Sequence, residues 1–193
     1  MHVHPQERPA LLVIDMVKDN FDPSKHLPIT EPARATLGPI NRLSRIFRQQ
    51  NWPVVFATDA FQPDDFIFQS RMKPHSLSGT AGAEVVDELE RTPEDLWLPK
   101  PRFSAFFDTD LASRLHRDAV TLCAVAGIAT HFCVLTTALD AVCHDFKAVL
   151  LEDCSADYSP DLHEKTLSLY RRNPLHPLLR VMDSEEFLRE YQR

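Results

Sequence analysis

The sequence predicts a three-layer α/β/α sandwich built on a mostly parallel, six-stranded, Rossmann-like sheet. Three observations lead there. Short apolar runs alternate with amphipathic stretches from one end of the chain to the other. The runs are apolar at successive positions rather than at every second one, so each needs cover on both faces, as parallel strands joined by helices have. The length, 193 residues, suits one domain with a substantial core and leaves little for a second.

The elements follow in order. Ala10 to Ile14 reads as a buried strand. Residues 32–50 place Ile40, Leu43, Ile46 and Phe47 at helical spacing. Pro53 to Ala57 is a second strand, and residues 60–80, weakly periodic, read as a long loop with a functional role. Ala83 to Leu89 reads as a short helix and Leu96 to Pro99 as a short strand. Thr109 to Arg117 is a helix capped by Thr109, Val120 to Ile128 the most apolar strand, and Thr130 to Asp145 a helix. Ala148 to Leu151 and Leu179 to Met182 are the last strands. Asp161 to Arg171 and Ser184 to Tyr191 are the last helices, with Ser184 as the N-cap of the second.

Composition excludes several functions. The formal net charge is −7 and no dense Lys/Arg stripe is present, which argues against nucleic acid as a partner. No apolar run approaches the roughly 20 residues that cross a bilayer, so no membrane is expected. The start, Met1 to Gln6, lacks the pattern of a secretory signal, which makes the cytoplasm the expected address. The only glycines are Gly38, Gly79, Gly82 and Gly127, and no phosphate-cradling loop can be assembled from these positions. A nucleotide-dependent oxidoreductase of similar layering is disfavoured for the same reason. No cofactor is expected. The cysteines, at 123, 133, 143 and 154, show no CxxC pairing and are expected to be free thiols.

In open α/β sheets ligands bind beyond the carboxyl ends of the strands. That selects Asp15, Asp59, Lys100, Thr130 to Cys133, and Glu152 to Cys154. Cys133 falls in the first turn after the most apolar strand. Unpaired N–H groups there favour a thiolate and can hold an oxyanion. Burial as a small hydrophobe is the competing reading for Cys133, and on spacing alone the two carry similar weight. Cys123 and Cys143 read as core, and Cys154 as a weaker second nucleophile. Asp15 closes an apolar strand, where a carboxylate needs a partner. Lys100 closes another strand and can neutralise both a carboxylate and a thiolate, although a solvated lysine is the commoner case. Asp59 and His75 are weak metal-ligand candidates, since a catalytic metal usually has about three protein ligands.

Four segments together resemble the isochorismatase-like cysteine hydrolases, the family of nicotinamidases and N-carbamoylsarcosine amidases. They are Leu11 to Met16; Lys100 to Phe107 with Thr109 and Leu111; Gly127 to Val134 continuing through Thr137 to Ala141; and the weaker run His75 to Glu84. The resemblance spans about residues 10–190 and implies one hydrolase domain over 1–193. It implies a catalytic triad of Asp15, Lys100 and Cys133, in which the aspartate takes the thiol proton and the thiolate attacks an amide carbonyl to form an acyl-thioester. It also implies a cis peptide at Ile128–Ala129 that turns the Ala129 N–H toward the oxyanion, and self-association into a homo-oligomer.

This chain departs from metal-binding nicotinamidases at two points. Their Asp-x-His is Asp59-Ala60-Phe61 here, and their tryptophan three residues before His75 is Met72. Phe61 and Met72, joined by Phe21 and Thr130, are therefore expected to wall a substrate pocket without metal. The expected activity is cleavage of a C–N bond in a small-molecule amide or carbamoyl substrate. Nicotinamide hydrolysis, vinyl-ether hydrolysis of the isochorismatase kind, and metabolite binding without catalysis are the alternatives.

Overall fold

The computed structural model describes residues 7–191. The reading of Met1 to Gln6 as free of a secretory signal lies outside them. Among the described residues no helix is long and apolar enough to cross a membrane.

Six strands form one all-parallel sheet. They are β1 (Pro9–Ile14), β2 (Val54–Asp59), β3 (Leu96–Lys100), β4 (Leu122–Ile128), β5 (Lys147–Ala156) and β6 (Leu179–Met182). Their spatial order is β3-β2-β1-β4-β5-β6. The helices are α1 (Lys18–Phe21), α2 (Thr30–Gln49), α3 (Leu111–Arg117), α4 (Leu135–Cys143), α5 (Pro160–Arg171) and α6 (Ser184–Tyr191). Successive residues of β1 serve opposite cores, because strand side chains alternate between faces. Leu11 and Val13 join Ile40, Leu43 and Phe47 of α2 and Phe187 of α6. Ala10, Leu12 and Ile14 join Leu111 of α3, Ala138 of α4 and Leu167 of α5. This double burial is why the strands read as continuous apolar runs.

Several boundaries differ from expectation, each for a tertiary reason. Residues 83–89 form no helix. A single 3-10 turn, Ala81–Ala83, is followed by extended chain in which Val85 bridges Val17 and the Val86 N–H donates to the Met16 carbonyl at 2.9 Å. Two adjacent β-branched residues favour that extended docking. Thr130 to Asp145 is not one helix, since a π-turn at Thr130–Val134 precedes α4 and α4 ends at Cys143. Ser184 lies inside α6. Asp183 caps it by accepting the Glu186 N–H at 2.7 Å, while the Ser184 hydroxyl donates to Asp153. Cys143 is exposed rather than part of the core. Strand β5 runs five residues past its expected end. Glu152 and Asp153 look like a loop in sequence, but Arg171 pairs with the first and Ser184 donates to the second, so the strand continues through them.

Gly127 permits the closest approach in the sheet. It pairs with Ile14 at φ +106°, and a Cβ there would sit 2.1 Å from the Ile14 carbonyl oxygen. Gly127→Ala is therefore expected to destabilise the fold by about 3 kcal/mol or more, as backbone strain and a buried clash combine. Guanidinium unfolding measures this, and a loss below about 1 kcal/mol contradicts it.

Candidate functional site

Strand order reverses direction between β1 and β4: the chain builds β2 and β3 on one side of β1, then returns to build β4 on the other. A crevice opens at such a switch point, and the residues that follow these two strands face each other across it. Asp15 ends β1 with a left-handed φ of +53°. Its backbone carbonyl accepts from the Val17 N–H at 2.9 Å and from Asn20 Nδ2 at 3.0 Å, which holds the turn. Cys133 sits in the π-turn after β4. That turn is tied down by Asp157, whose carboxylate accepts the His131 backbone N–H at 2.8 Å and hydrogen-bonds His131 Nδ1 at 2.7 Å. Thr130 Oγ1 shares a hydrogen bond with His163 Nδ1 at 2.7 Å. The peptide Ile128–Ala129 is cis.

Lys100 closes β3, two strand spacings or roughly 10 Å from β1. Its four-carbon stem runs past the end of β2 to reach the crevice. Nζ donates to Asp15 Oδ2 at 2.9 Å, to Asp59 Oδ1, and to the Arg102 carbonyl at 3.1 Å. All three ammonium donors thus have acceptors, which is what a fully buried lysine needs. Asp15 uses its other oxygen to accept the Asp59 N–H at 2.8 Å. Burial opposes the Lys100 charge, but the carboxylates of Asp15 and Asp59 outweigh it and hold its pKa above the usual lysine value. Burial, then repulsion from Asp15, pushes Asp59 up to about 7 despite the ammonium. Asp59, buried beside a second carboxylate, therefore takes up a proton near neutral pH.

Cys133 completes the cluster. Its sulfur and one carboxylate oxygen each of Asp15 and Asp59 lie within 4.8 Å of one another. The expectation of a resting thiolate is corrected here. Burial raises the Cys133 pKa well above its ordinary value; the Lys100 ammonium opposes this, and the Asp15 and Asp59 carboxylates add to it. The Asp15 carboxylate lies close enough to the sulfur to serve as the base for the thiol proton. Burial alone likewise pushes Cys123 up, and it pushes Cys154 up as well. Cys154 sits within β5, not past a strand end, which removes it as a second nucleophile.

A cavity of about 60 Å³ opens over the thiol, lined among others by Asp15, Asp59, Met72, Phe103, Phe132 and Tyr158. Met72 and His75 thus face this space, but the other three expected wall residues do not line it. Phe21 is buried in the α2-side core beneath the Arg34 guanidinium. Phe61 stands behind His75, its ring 5.4 Å from the imidazole centroid. Thr130 is fully buried against His163. Sequence reasoning missed the aromatic wall. Phe132, in the Thr130–Val134 π-turn, packs edge-on to Phe103 at 4.5 Å, and Phe103 occupies a loop position with no periodic signal. Tyr158 follows the true end of β5 and was hidden by reading that strand too short.

A resident metal does not fit this donor set. Asp15, Asp59 and Cys133 could converge on a cation, but the Lys100 ammonium already bonds both carboxylates and supplies the positive charge there. His75 is outside the cluster, its Nδ1 engaged with the Lys73 carbonyl at 2.9 Å.

With this geometry in view, comparison with known proteins is specific. The Isochorismatase domain family matches residues 9–186. An isochorismatase family protein of Bacillus subtilis is 30% identical over 168 residues, 82% of this chain and 92% of the relative. A protein of Arabidopsis thaliana described as a probable inactive nicotinamidase is 32% identical over 164 residues, 80% of this chain and 83% of its own length. The crystal structure of N-carbamoylsarcosine amidase from Thermoplasma acidophilum superposes with a TM-score of 0.79 at 29% identity, over 92% of this chain and 97% of that one. With the family match spanning nearly the whole sheet and its crevice, the chain belongs to the isochorismatase family.

Proposed function

We propose that this protein cleaves the C–N bond of a small amide or carbamoyl compound through an acyl-thioester on Cys133. The observation that carries the reading is the single buried cluster of Asp15, Lys100 and Cys133 beneath a cavity sized for a small head group. Solved structures named as an N-carbamoylsarcosine amidase and a nicotinamidase/pyrazinamidase support the same bond type.

In this reading Asp15 removes the thiol proton as sulfur adds to the carbonyl carbon. The oxygen becomes an oxyanion, received by the backbone N–H groups of Ala129 and Cys133. The C–N bond then breaks, and the departing nitrogen takes the proton from Asp15. Water adds to the thioester, giving its proton to Asp15. The C–S bond breaks, the acid leaves, and the proton returns to sulfur. Lys100 keeps a positive charge beside Asp15 and the sulfur throughout, which favours each anionic species in turn. A base-assisted thiol suits the elevated Cys133 pKa better than a preformed thiolate does. Met72, where nicotinamidases carry a tryptophan, disfavours nicotinamide as the substrate.

The test is intact-protein mass spectrometry after rapid quenching with a panel of small primary amides and ureas. An acyl mass increase mapped to the peptide containing Cys133, together with released ammonia, is expected. Ammonia release with the label on exposed Cys143, or no adduct during steady turnover, overturns the reading. Release of an enolpyruvyl-type product without ammonia establishes the ether-cleaving alternative instead.

A further inference from the structure

We infer that Asp157 is a positioning residue for the reaction: acting through His131, it fixes the turn whose Ala129 and Cys133 N–H groups receive the oxyanion, so its loss slows the chemistry without weakening substrate binding. The inference rests on the hydrolytic reading for the existence of that oxyanion.

An irregularity in the sheet puts Asp157 in place. Val125 of β4 faces Leu150 of β5, whereas Gly127, two residues on, faces Ser155, five residues on. Three additional residues of β5 are taken up between these pairs, and the ladder resumes with Ile128 beside Ala156. The two chains then leave the sheet side by side, one into Ala129 and the reactive turn, the other into Asp157. In an unbroken register Ile128 would face Asp153, and the next residue would be Cys154, which has no carboxylate to offer.

Asp157 is 1% exposed, and N–H groups occupy both of its oxygens. Oδ2 accepts the His131 backbone N–H at 2.8 Å and lies 2.7 Å from His131 Nδ1. Oδ1 lies 2.9 Å from the same nitrogen and accepts the Tyr158 N–H at 2.8 Å. No lysine or arginine pairs with this carboxylate among the described residues. A carboxylate oxygen only accepts, so Nδ1 carries the ring proton. Bonds from N–H groups to a buried charge are short and strong. The first N–H groups of a helical segment lack partners within it. In this turn the Ala129 carbonyl accepts the Phe132 N–H at 3.0 Å and the Val134 N–H at 3.3 Å, and the His131 N–H goes to Asp157 instead.

One carboxylate therefore grips both the backbone and the side chain of a residue that stands between the two oxyanion donors. Thr130 is held from the opposite side by His163. Neither Asp157 nor His131 lines the cavity over the thiol, so the pair acts on the turn and not on the substrate. Oxyanion donors stabilise charge only when they are already aimed at it. A misplacement of about 1 Å can cost roughly 100-fold in rate.

The experiment compares the parent with Asp157→Asn, His131→Ala and His131→Asn. Turnover is read as released ammonia. Oxyanion binding is read as the affinity for the aldehyde analogue of the best amide. Sulfur adds to the aldehyde carbon and the thiol proton ends on the oxygen, so no group leaves and that oxygen occupies the oxyanion position. Thiol reactivity is read as iodoacetamide alkylation of the peptide containing Cys133, a displacement that forms no oxyanion. In Asp157→Asn, kcat and aldehyde affinity are both expected to fall about 100-fold, with KM and the alkylation rate within about threefold of the parent. His131→Ala is expected to lose about tenfold in kcat, and His131→Asn, whose Nδ2 replaces the Nδ1–H donor, to stay within about threefold of the parent.

An Asp157→Asn protein that turns over within threefold of the parent overturns the inference, as does a loss confined to KM. Aldehyde affinity and alkylation falling together overturn it too, since that marks a site disrupted as a whole. Should Asp157→Asn fail to fold, equal activities of the two His131 variants overturn it, and a deficit in His131→Ala that His131→Asn restores supports it. Ammonia release unmoved by every substitution leaves the hydrolytic reading standing and this inference refuted. Aldehyde capture that weakens in Asp157→Asn, in a protein that hydrolyses no amide, does the reverse. A parent protein that neither hydrolyses an amide nor captures the aldehyde refutes both.

Discussion

Replacing Cys133 with alanine is expected to lower turnover by on the order of 10⁴-fold or more, because a covalent route loses its nucleophile outright. The fold should survive. The Cys133 thiol is neutral at rest, held so by burial and by the two neighbouring carboxylates, so removing it takes no charge out of the cluster. Lys100 keeps its three acceptors, and Asp15 keeps the ammonium and the Asp59 N–H. The site already opens into a cavity, so the lost sulfur is expected to cost no more than about 1.5 kcal/mol. Ammonia release under saturating substrate and a denaturant melt measure the two quantities. A variant that turns over at a tenth of the parent rate or better removes the nucleophile assignment. One that is unfolded says that the thiol is structural.

Lys100→Met is expected to be damaging in a different way, with its cost set by pH. It leaves the buried carboxylates of Asp15 and Asp59 facing each other without their shared ammonium. Breaking a buried ionic cluster from one side costs about 3–5 kcal/mol. The sign of the pH dependence follows from linkage. Asp59 already binds its proton near pH 7 in the presence of the ammonium, and without it the folded-state pKa rises further. A carboxyl whose folded pKa exceeds its unfolded one is stabilised below the unfolded value, and that stability is lost as pH climbs through the folded value. The deficit relative to the parent is therefore expected to be small near pH 5, where Asp59 is protonated in both folded proteins, and to grow through pH 8. Guanidinium unfolding of both proteins at pH 5 and pH 8 reads the difference directly. A deficit equal at the two values, or larger at pH 5, contradicts the account. Hydrolysis is expected to be lost as well, because the ammonium that favours each anionic species beside Cys133 is gone.

Much of the fold could be read along the chain because the signal is local. A strand covered on both faces must be apolar at every position, and residues 10–14 and 122–128 are. The readings that failed depended on partners distant in sequence. Glu152 and Asp153 end a strand on paper, yet Arg171 and Ser184 supply the partners that let β5 run to Ala156. Val85 and Val86 left the expected helix because Met16 and Val17 offer them an extended edge.

The same division holds within the crevice. Strand ends gather on one side of a parallel sheet whatever the details of packing, which placed Asp15, Lys100 and Cys133 among several candidates; the family resemblance is what singled out these three. Which side chains cover that gathering point is not a property of any one segment. Phe103, Phe132 and Tyr158 came into the wall from three separate segments, and Phe21, Phe61 and Thr130 were turned away from it by contacts of their own. The protonation of the reactive thiol follows the same rule. A cysteine near the start of a helical segment reads as acidic by local dipole alone. Burial beside two carboxylates reverses that, because at low dielectric the nearest full charges and the lost solvent outweigh the partial charges of a single helical turn.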